Sequence, residues 1–422
     1  MTLKRTLRVM VVDDTITYRM IMKNVAESIP GIEVTATASN GKLALDKIRN
    51  LFKSDPETLP NVLLLDVEMP VMDGLATLKE INQNFSNITV VMVSALSRSN
   101  ANIIVECLNA GALDFITKPL ESHIDQAKAA LRRDLEPILS ILSKDFQTAE
   151  SIKESHQSQS VSGSTVKAAP KTRPLQRPFT RVSVPPVSTN KSTLGSKKPA
   201  PNAARQADAA IGPALSPTLR AAQKKTSGMP ISKPELVLIG SSTGGPAALT
   251  KVLGGLGGPL SVPILIVQHM PPVFTASLAA QLSRTSGIPV KEAEEGMVLT
   301  PGSITIAMGG RHMTIKNVKK SLIISLNDGA KVNECRPAVD VLFMSVAATF
   351  RGDVLAVILT GMGRDGANGV DALKRAGHTY CITQSKQSCV VYGMPRSVDE
   401  KNLSDLSLTL DEIGPTISKI CL

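Results

Sequence analysis

Two stretches of the chain alternate short apolar runs with longer segments whose apolar residues recur every three or four positions. In the first stretch, runs at 7–12, 62–65 and 89–93 are nearly continuous in Val, Ile, Leu and Met, and 33–38 and 114–116 are further strand-like runs. Segments 16–28, 41–51, 75–84 and 101–110 lie between them with helical spacing. Continuous apolar strands joined by helices predict a parallel sheet covered on both faces, and right-handed crossovers leave few topologies. A helix over 123–142, running on to about 145, closes this part. The second stretch predicts strands at 236–239, 263–267, 354–359 and 379–383, with helices at 247–253, 275–283, 339–350 and 367–375. There, 302–308 and 322–326, with 312–316 between them, read as an antiparallel excursion. The chain thus reads as α/β throughout, with no fixed-period repeat.

Between these stretches the periodicity stops. Residues 150–230 are rich in Ser, Thr, Pro, Ala, Lys and Gln and poor in large apolar side chains. Such a segment cannot offset its ordering entropy by burial, so it reads as a disordered tether. The expected organisation is an N-terminal domain over 7–124 with its trailing helix, the tether, and a C-terminal domain over 231–422. The formal net charge of +11 changes meaning once it is located. Twelve of the 47 Lys and Arg, but one of the 36 Asp and Glu, fall between Val161 and Pro230, leaving the rest of the chain neutral. With Phe179 as its one aromatic residue, the tether lacks stacking platforms, and no nucleic-acid partner is expected. The five scattered cysteines form no C-x-x-C pair and suit reduced thiols. No signal peptide and no apolar stretch of membrane-spanning length is read, so a soluble cytoplasmic protein without membrane insertion is expected.

Polar residues gather where the first set of strands ends. Strand one runs into Asp13 and Asp14, strand three into Asp66, strand four into Ser94 and strand five into Thr117-Lys118-Pro119. Ligands of open parallel sheets bind at this carboxyl edge. Three clustered carboxylates, Asp13, Asp14 and Asp66, need a cation, and hard oxygen donors with room for phosphate suit Mg²⁺. Lys118 can neutralise a phosphoryl group, Ser94 can donate to it, and Asp66 is the expected acceptor.

The second stretch carries Gly240-Ser-Ser-Thr-Gly-Gly-Pro after an apolar run. Ser242 stands in a G-x-S-x-G frame, which permits a tight strand-to-helix turn that presents a hydroxyl. A P-loop is excluded because its Lys-Ser/Thr pair is missing, and the G-x-G-x-x-G fingerprint is absent. A serine nucleophile needs a base and a group to orient that base. His269 ends the next strand, and Asp365 lies in a Gly-rich loop beyond the strand at 354–359. His312 and His378 are less well placed, and Cys335 would need a base of its own, none being evident. The order Ser, His, Asp differs from the Ser, acid, His order of α/β-hydrolases.

The Asp13-Asp14 pair, the run Asp66-x-x-Met-Pro-x-x-Asp-Gly, Ser94-Ala95 and Lys118-Pro119 resemble the receiver domain of two-component response regulators over about 120 residues. That resemblance implies a flavodoxin-like sheet of order 2-1-3-4-5, Mg²⁺-dependent phosphotransfer from a histidine kinase to Asp66, an ion also held by the Glu68 backbone carbonyl, and Phe115 as an aromatic switch beside Ser94 and Lys118. The segments Gly240-Ser-Ser-Thr-Gly-Gly-Pro, Val267-Gln-His-Met-Pro-Pro, Arg336-Pro-Ala-Val-Asp-Val-Leu-Phe, Leu359-Thr-Gly-Met-Gly-Arg-Asp-Gly and Tyr392-Gly-Met-Pro resemble the chemotaxis methylesterase domain. Joined to a receiver, this resembles the protein-glutamate methylesterase and glutamine deamidase family. The family implies hydrolysis of glutamyl methyl esters and glutamine amides on chemoreceptor cytoplasmic domains, with Ser242, His269 and Asp365 as triad. It also implies backbone N–H groups of Thr243 and Met362 as oxyanion hole, and no cofactor for hydrolysis. The tether is longer than the short one familiar in some members.

Overall fold

A computed structural model describes residues 6–119, 123–159, 233–258, 260–319 and 321–421. The first five strands are β1 (Leu7–Val12), β2 (Ile32–Ala38), β3 (Val62–Asp66), β4 (Thr89–Ala95) and β5 (Asp114–Lys118). They form one parallel sheet of order β2-β1-β3-β4-β5, as expected. Every residue of β3 is buried, which a sheet with helices on both faces requires. The helices are α1 (Ile16–Glu27), α2 (Gly41–Ser54), α3 (Gly74–Asn84), α4 (Arg98–Asn109) and α5 (Ile124–Gln159). Three begin on side-chain caps: Asn40 accepts from Leu43 N–H, Asp73 from Ala76 N–H and Ser97 from Asn100 N–H. Helix α5 is longer than expected and takes in 150–159, because neither Gly nor Pro interrupts 138–159. The remainder of the expected tether, 160–230, lies outside the described residues.

The second sheet has seven strands: β6 (Leu236–Ser241), β7 (Ile264–Gln268), β8 (Val290–Glu292), β9 (Ile304–Ile306), β12 (Val354–Ile358), β13 (Thr379–Gln384) and β14 (Leu406–Leu408). Its order is β14-β13-β12-β6-β7-β9-β8, and every pairing is parallel. The antiparallel excursion is smaller than the pattern predicts. Among the described strands, β10 (His312–Val318) and β11 (Ser321–Asn327) alone pair antiparallel. The core of 302–308 is β9, which pairs parallel with β7 through Ile304 and Ile264. Ile304 and Ile306 are buried on the main sheet, so burial outweighs proximity to the hairpin. The helices are α6 (Gly245–Gly254), α7 (Phe274–Ser286), α8 (Val339–Thr349), α9 (Ala367–Ala376), α10 (Met394–Glu400) and α11 (Leu410–Cys421).

Both sheets reverse direction beside a central strand. In the first, β1 lies between β2 and β3; in the second, β6 lies between β12 and β7. Each reversal opens a crevice at the carboxyl ends of the flanking strands. The candidate residues of both sites leave the sheets at these two crevices.

Candidate functional sites

At the first crevice, Asp13 and Asp66 are buried and Asp14 is exposed. One ligand atom from each lies within 4.8 Å of the others. Lys118 Nζ stands 2.7 Å from both Asp13 Oδ2 and Asp66 Oδ2. Asp13 Oδ2 is buried and, among the described residues, has no partner besides this ion pair. The three clustered carboxylates, an all-oxygen donor set in which Asp13 Oδ2 is met only by Lys118, fit a hard divalent cation. Burial pushes the Asp66 carboxyl from 3.8 up to about 6; the hydrogen bond and charge of Lys118 pull it down, and Asp13 adds to the rise. Ser94 is buried at the end of β4 and accepts from Asn100 Nδ2 at 3.2 Å. Glu68 and Asp14 line the same open cavity. The expected phosphoryl-site residues are therefore together, except Phe115, which points to the other half of the molecule. Its ring packs on Phe274, with centroids 4.6 Å apart.

Sequence reasoning assigned no role to Asp73 or Tyr18. Asp73 belongs to the motif but serves as the α3 cap. Tyr18 donates to the Pro119 carbonyl, and Lys118 Nζ lies 5.1 Å from its ring centre, so it braces the lysine loop.

At the second crevice, Gly244 has φ +74°, the left-handed conformation that turns the chain from β6 into α6. Gly245 leaves the space that Gln268 Oε1 occupies, since a Cβ there would sit 2.0 Å from that oxygen. Gln268 then ties two strand ends together. Its Oε1 accepts from Ser241 Oγ at 2.6 Å, and its Nε2 donates to the Ser242 carbonyl at 3.0 Å. His269 N–H donates to the Ser241 carbonyl at 3.1 Å, so Ser242 and His269 leave adjacent strands side by side. Among the described residues, the Ser242 hydroxyl has no hydrogen-bond partner, and no Ser242–His269 bond is formed.

His269 Nε2 lies 2.8 Å from Asp365 Oδ2, with the two side chains 10% and 2% exposed. Asp365 is held by four further donors: Asn333 Nδ2, Val339 N–H, Asp340 N–H and Gly366 N–H. Burial alone would raise the Asp365 carboxyl, but the His269 bond and charge and these amides hold it below the ordinary range. Burial works to lower His269; its bonds to Asp365 and Cys335 override this and hold it up at about 9. The expectation that Cys335 has no base is corrected here. Its Sγ lies 3.3 Å from His269 Nδ1. The two residues are 66 positions apart, and only tertiary packing joins them. His312 is buried in β10 and bonds the Ala330 carbonyl, away from this group.

Residues 237–417 match the CheB methylesterase family, and residues 9–131 match the response regulator receiver domain. The protein-glutamate methylesterase/protein-glutamine glutaminase of Desulfotalea psychrophila is 39% identical over 415 residues, 98% of each chain. That of Halalkalibacterium halodurans is 35% identical over 415 residues, again 98% of each. The chain belongs to the protein-glutamate methylesterase/protein-glutamine glutaminase family. Among solved structures, the catalytic domain of Thermotoga maritima CheB methylesterase is 40% identical, covering 45% of this chain and 100% of that chain, with a TM-score of 0.43.

The receiver half of this methylesterase packs on the sheet edge that carries Ser242 and His269. Thr243 Oγ1 donates to Asp114 Oδ2 at 2.5 Å, and Thr250 Oγ1 donates to Asn109 Oδ1 at 2.6 Å. A cavity of 330 Å³ is bounded by Asp114, Phe115 and Pro137 on the receiver side and by Thr243, His269 and Met362 on the other. Among the described residues, the N–H groups of Thr243 and Met362 donate to nothing. Asp340, quoted in a motif but given no role, is buried in α8 and accepts from Gly366 and Gly369 N–H, fixing the Asp365 loop and the start of α9 to α8. No helix among the described residues is long and apolar enough to cross a membrane.

Proposed function

We propose that this chain hydrolyses glutamyl methyl esters, and deamidates glutamines, on chemoreceptor cytoplasmic domains, through Ser242, His269 and Asp365. The observation that carries this reading is the 2.8 Å Asp365–His269 pair at the crevice where Ser242 turns out of β6. Ser242 Oγ attacks the side-chain carbonyl while His269 takes its proton. The ring returns that proton to the departing methoxide or amide nitrogen, and methanol or ammonia leaves. Water then attacks the acyl-serine; its proton goes to His269 and on to Ser242. Asp365 orients the imidazole and stabilises its cation. The unpaired N–H groups of Thr243 and Met362 support their assignment to the developing oxyanion, where a donor is worth about 2.7–4 kcal/mol in other enzymes.

The receiver supplies control. Asp66 accepts a phosphoryl group from a histidine kinase, with Ser94, Lys118 and Phe115 reading the result. Asp13, Asp14, Asp66 and the Glu68 carbonyl would hold Mg²⁺, which when bound neutralises phosphoryl charge. The contacts of Asp114 and Phe115 on Thr243 and Phe274 support a model in which the unphosphorylated receiver covers the hydrolytic edge. The setting is the cytoplasm, in adaptation of chemotaxis-type signalling. Methanol release from a methylated receptor fragment, with and without a small phosphoryl donor, tests the whole reading. Loss of release in both Ser242→Ala and His269→Ala is expected; retention of wild-type release in either overturns it.

A further inference from the structure

The imidazole of His269 has both ring nitrogens engaged. Asp365 takes Nε2 at 2.8 Å, and Cys335 Sγ stands 3.3 Å from Nδ1. When the ring gives up one proton to become the base, the carboxylate on Nε2 keeps the remaining proton there. Nδ1 then offers the lone pair, accepting the Cys335 S–H. That same lone pair is the one Ser242 needs for its own proton. One partner must therefore let go before the serine can be activated.

The two partners are not equally free to move. Asp365 is buried and pinned by four donors besides His269. Cys335 is half-buried and closes a tight turn. Val332 N–H donates to the Cys335 carbonyl at 3.1 Å, and Cys335 N–H returns to the Val332 carbonyl at 3.0 Å. The two central residues, Asn333 and Glu334, have φ of 51° and 62°. This is a two-residue hairpin turn with both centres left-handed, a conformation Asn tolerates and Glu disfavours. Strain held at such a position marks a geometry that the surroundings impose. The imposed geometry has two outputs. Asn333 Nδ2 donates to Asp365 Oδ1 at 2.8 Å, and Cys335 reaches His269. A single turn thus touches both members of the acid–base pair.

We propose that Cys335 is a positioning residue of the hydrolytic centre: its thiol occupies Nδ1 of the neutral, base-form His269 ring and yields that nitrogen to Ser242 when substrate engages. This rests on Ser242 and His269 being nucleophile and base. The thiol holds the ring upright against Asp365 while withholding its basic nitrogen, so idle serine attack is suppressed. A neutral S–H···N bond is weak enough to be exchanged for the serine O–H during turnover.

The test uses the full chain, with Mg²⁺ and a small phosphoryl donor in every arm so that receiver state does not vary. An alkyl fluorophosphonate, which loses fluoride as it bonds to an activated serine oxygen, reports Ser242 reactivity. Cys335→Ala should be labelled about fivefold faster than wild type, the factor equivalent to one neutral hydrogen bond. Cys335→Ser keeps a hydroxyl donor and should return to within about twofold of wild type. Equal or slower labelling of Cys335→Ala, or failure of Cys335→Ser to reverse the gain, overturns the proposal. Should Cys335→Ala not fold, the infrared S–H stretch of the wild-type protein decides. The band lost in Cys335→Ser should lie at the hydrogen-bonded frequency; a free-thiol frequency overturns the proposal. Ser242→Ala separates the two levels. Labelling that survives Ser242→Ala sinks the triad reading itself, whereas labelling lost there but unchanged in Cys335→Ala sinks only the role of Cys335.

Discussion

Asp365→Asn is the substitution with the most legible cost. Oδ2 accepts from His269 Nε2 and Val339 N–H; Oδ1 accepts from Asn333 Nδ2, Asp340 N–H and Gly366 N–H. Every approach to the carboxylate is from a donor. An asparagine must turn its NH₂ toward one of these two sets, so it loses at least two bonds in either orientation. Hydrogen bonds to a charged partner contribute about 1.5–3 kcal/mol each, which gives a loss of about 3–6 kcal/mol. For a domain of this size, the melting temperature of the catalytic part should fall by about 6–24 °C. Hydrolysis should fall further than stability, because the amide no longer fixes the tautomer. In another serine hydrolase the equivalent change costs about 10⁴ in kcat. Calorimetry and methanol release, run below the lowered melting point, measure the two effects. A variant melting within about 2 °C of wild type would show that the carboxylate is not the hub described. Retention of more than about a tenth of wild-type kcat would remove Asp365 from the triad.

Three other outcomes are expected. Phe115→Ala, which removes an aromatic pair worth about 0.5–1.5 kcal/mol, should raise hydrolysis without phosphoryl donor by about two- to tenfold; an unchanged basal rate would detach Phe115 from the cover. Phosphoryl incorporation at Asp66 from a small donor should require divalent metal and vanish with a chelator. Because the acceptor must be ionised and its carboxyl is raised to about 6, incorporation should climb as pH rises through 6 at low metal; a rise centred near 4 would contradict the burial of Asp66. His269, held at about 9 in the fold, must be neutral to act as base, so the acid limb of kcat/KM should lie well above the ordinary value of 6.5. The same shift favours the folded state fully below pH 6.5, and this contribution is lost as pH rises through 9; Asp365→Asn should flatten that stretch of the stability profile.

Both crevices, and the strands other than β8 and β14, were legible because apolar runs and the polar residues that terminate them are local features. Asp13, Asp66 and Lys118, and equally Ser242, His269 and Asp365, could be placed by counting which strand each one follows. The parallel pairing of β9 was not legible. Three residues of Ile-Thr-Ile carry no sign of whether they join a neighbouring hairpin or a sheet whose partner, Ile264, lies forty positions back. Gln268 was quoted in a motif without a role, because only the fold shows that Gly245 makes room for its amide. The reach of Cys335 to His269 depends on a turn with left-handed Asn333 and Glu334, and a Glu at such a position is not a turn signal. Expectations failed where a side chain's meaning is set by a partner far along the chain.

Strand β5 explains how two chemically unrelated centres can share one molecule. Its last residue, Lys118, sits 2.7 Å from Asp66, and its first, Asp114, accepts from Thr243 beside the nucleophile. Four residue steps of extended chain span about 13 Å, with little slack along a hydrogen-bonded strand. Phe115, next to Asp114, presses on Phe274, and α4 packs beside them on α6 and α7, where Thr250 Oγ1 donates to Asn109 Oδ1. Burial pushes the Asp114 carboxyl up, countered only by hydrogen bonds from Thr243 and Phe115 N–H. In the proposed cover model, chemistry at Asp66 that draws Lys118 away from Asp13 acts on one end of this strand, and the opposite end carries contacts that must break.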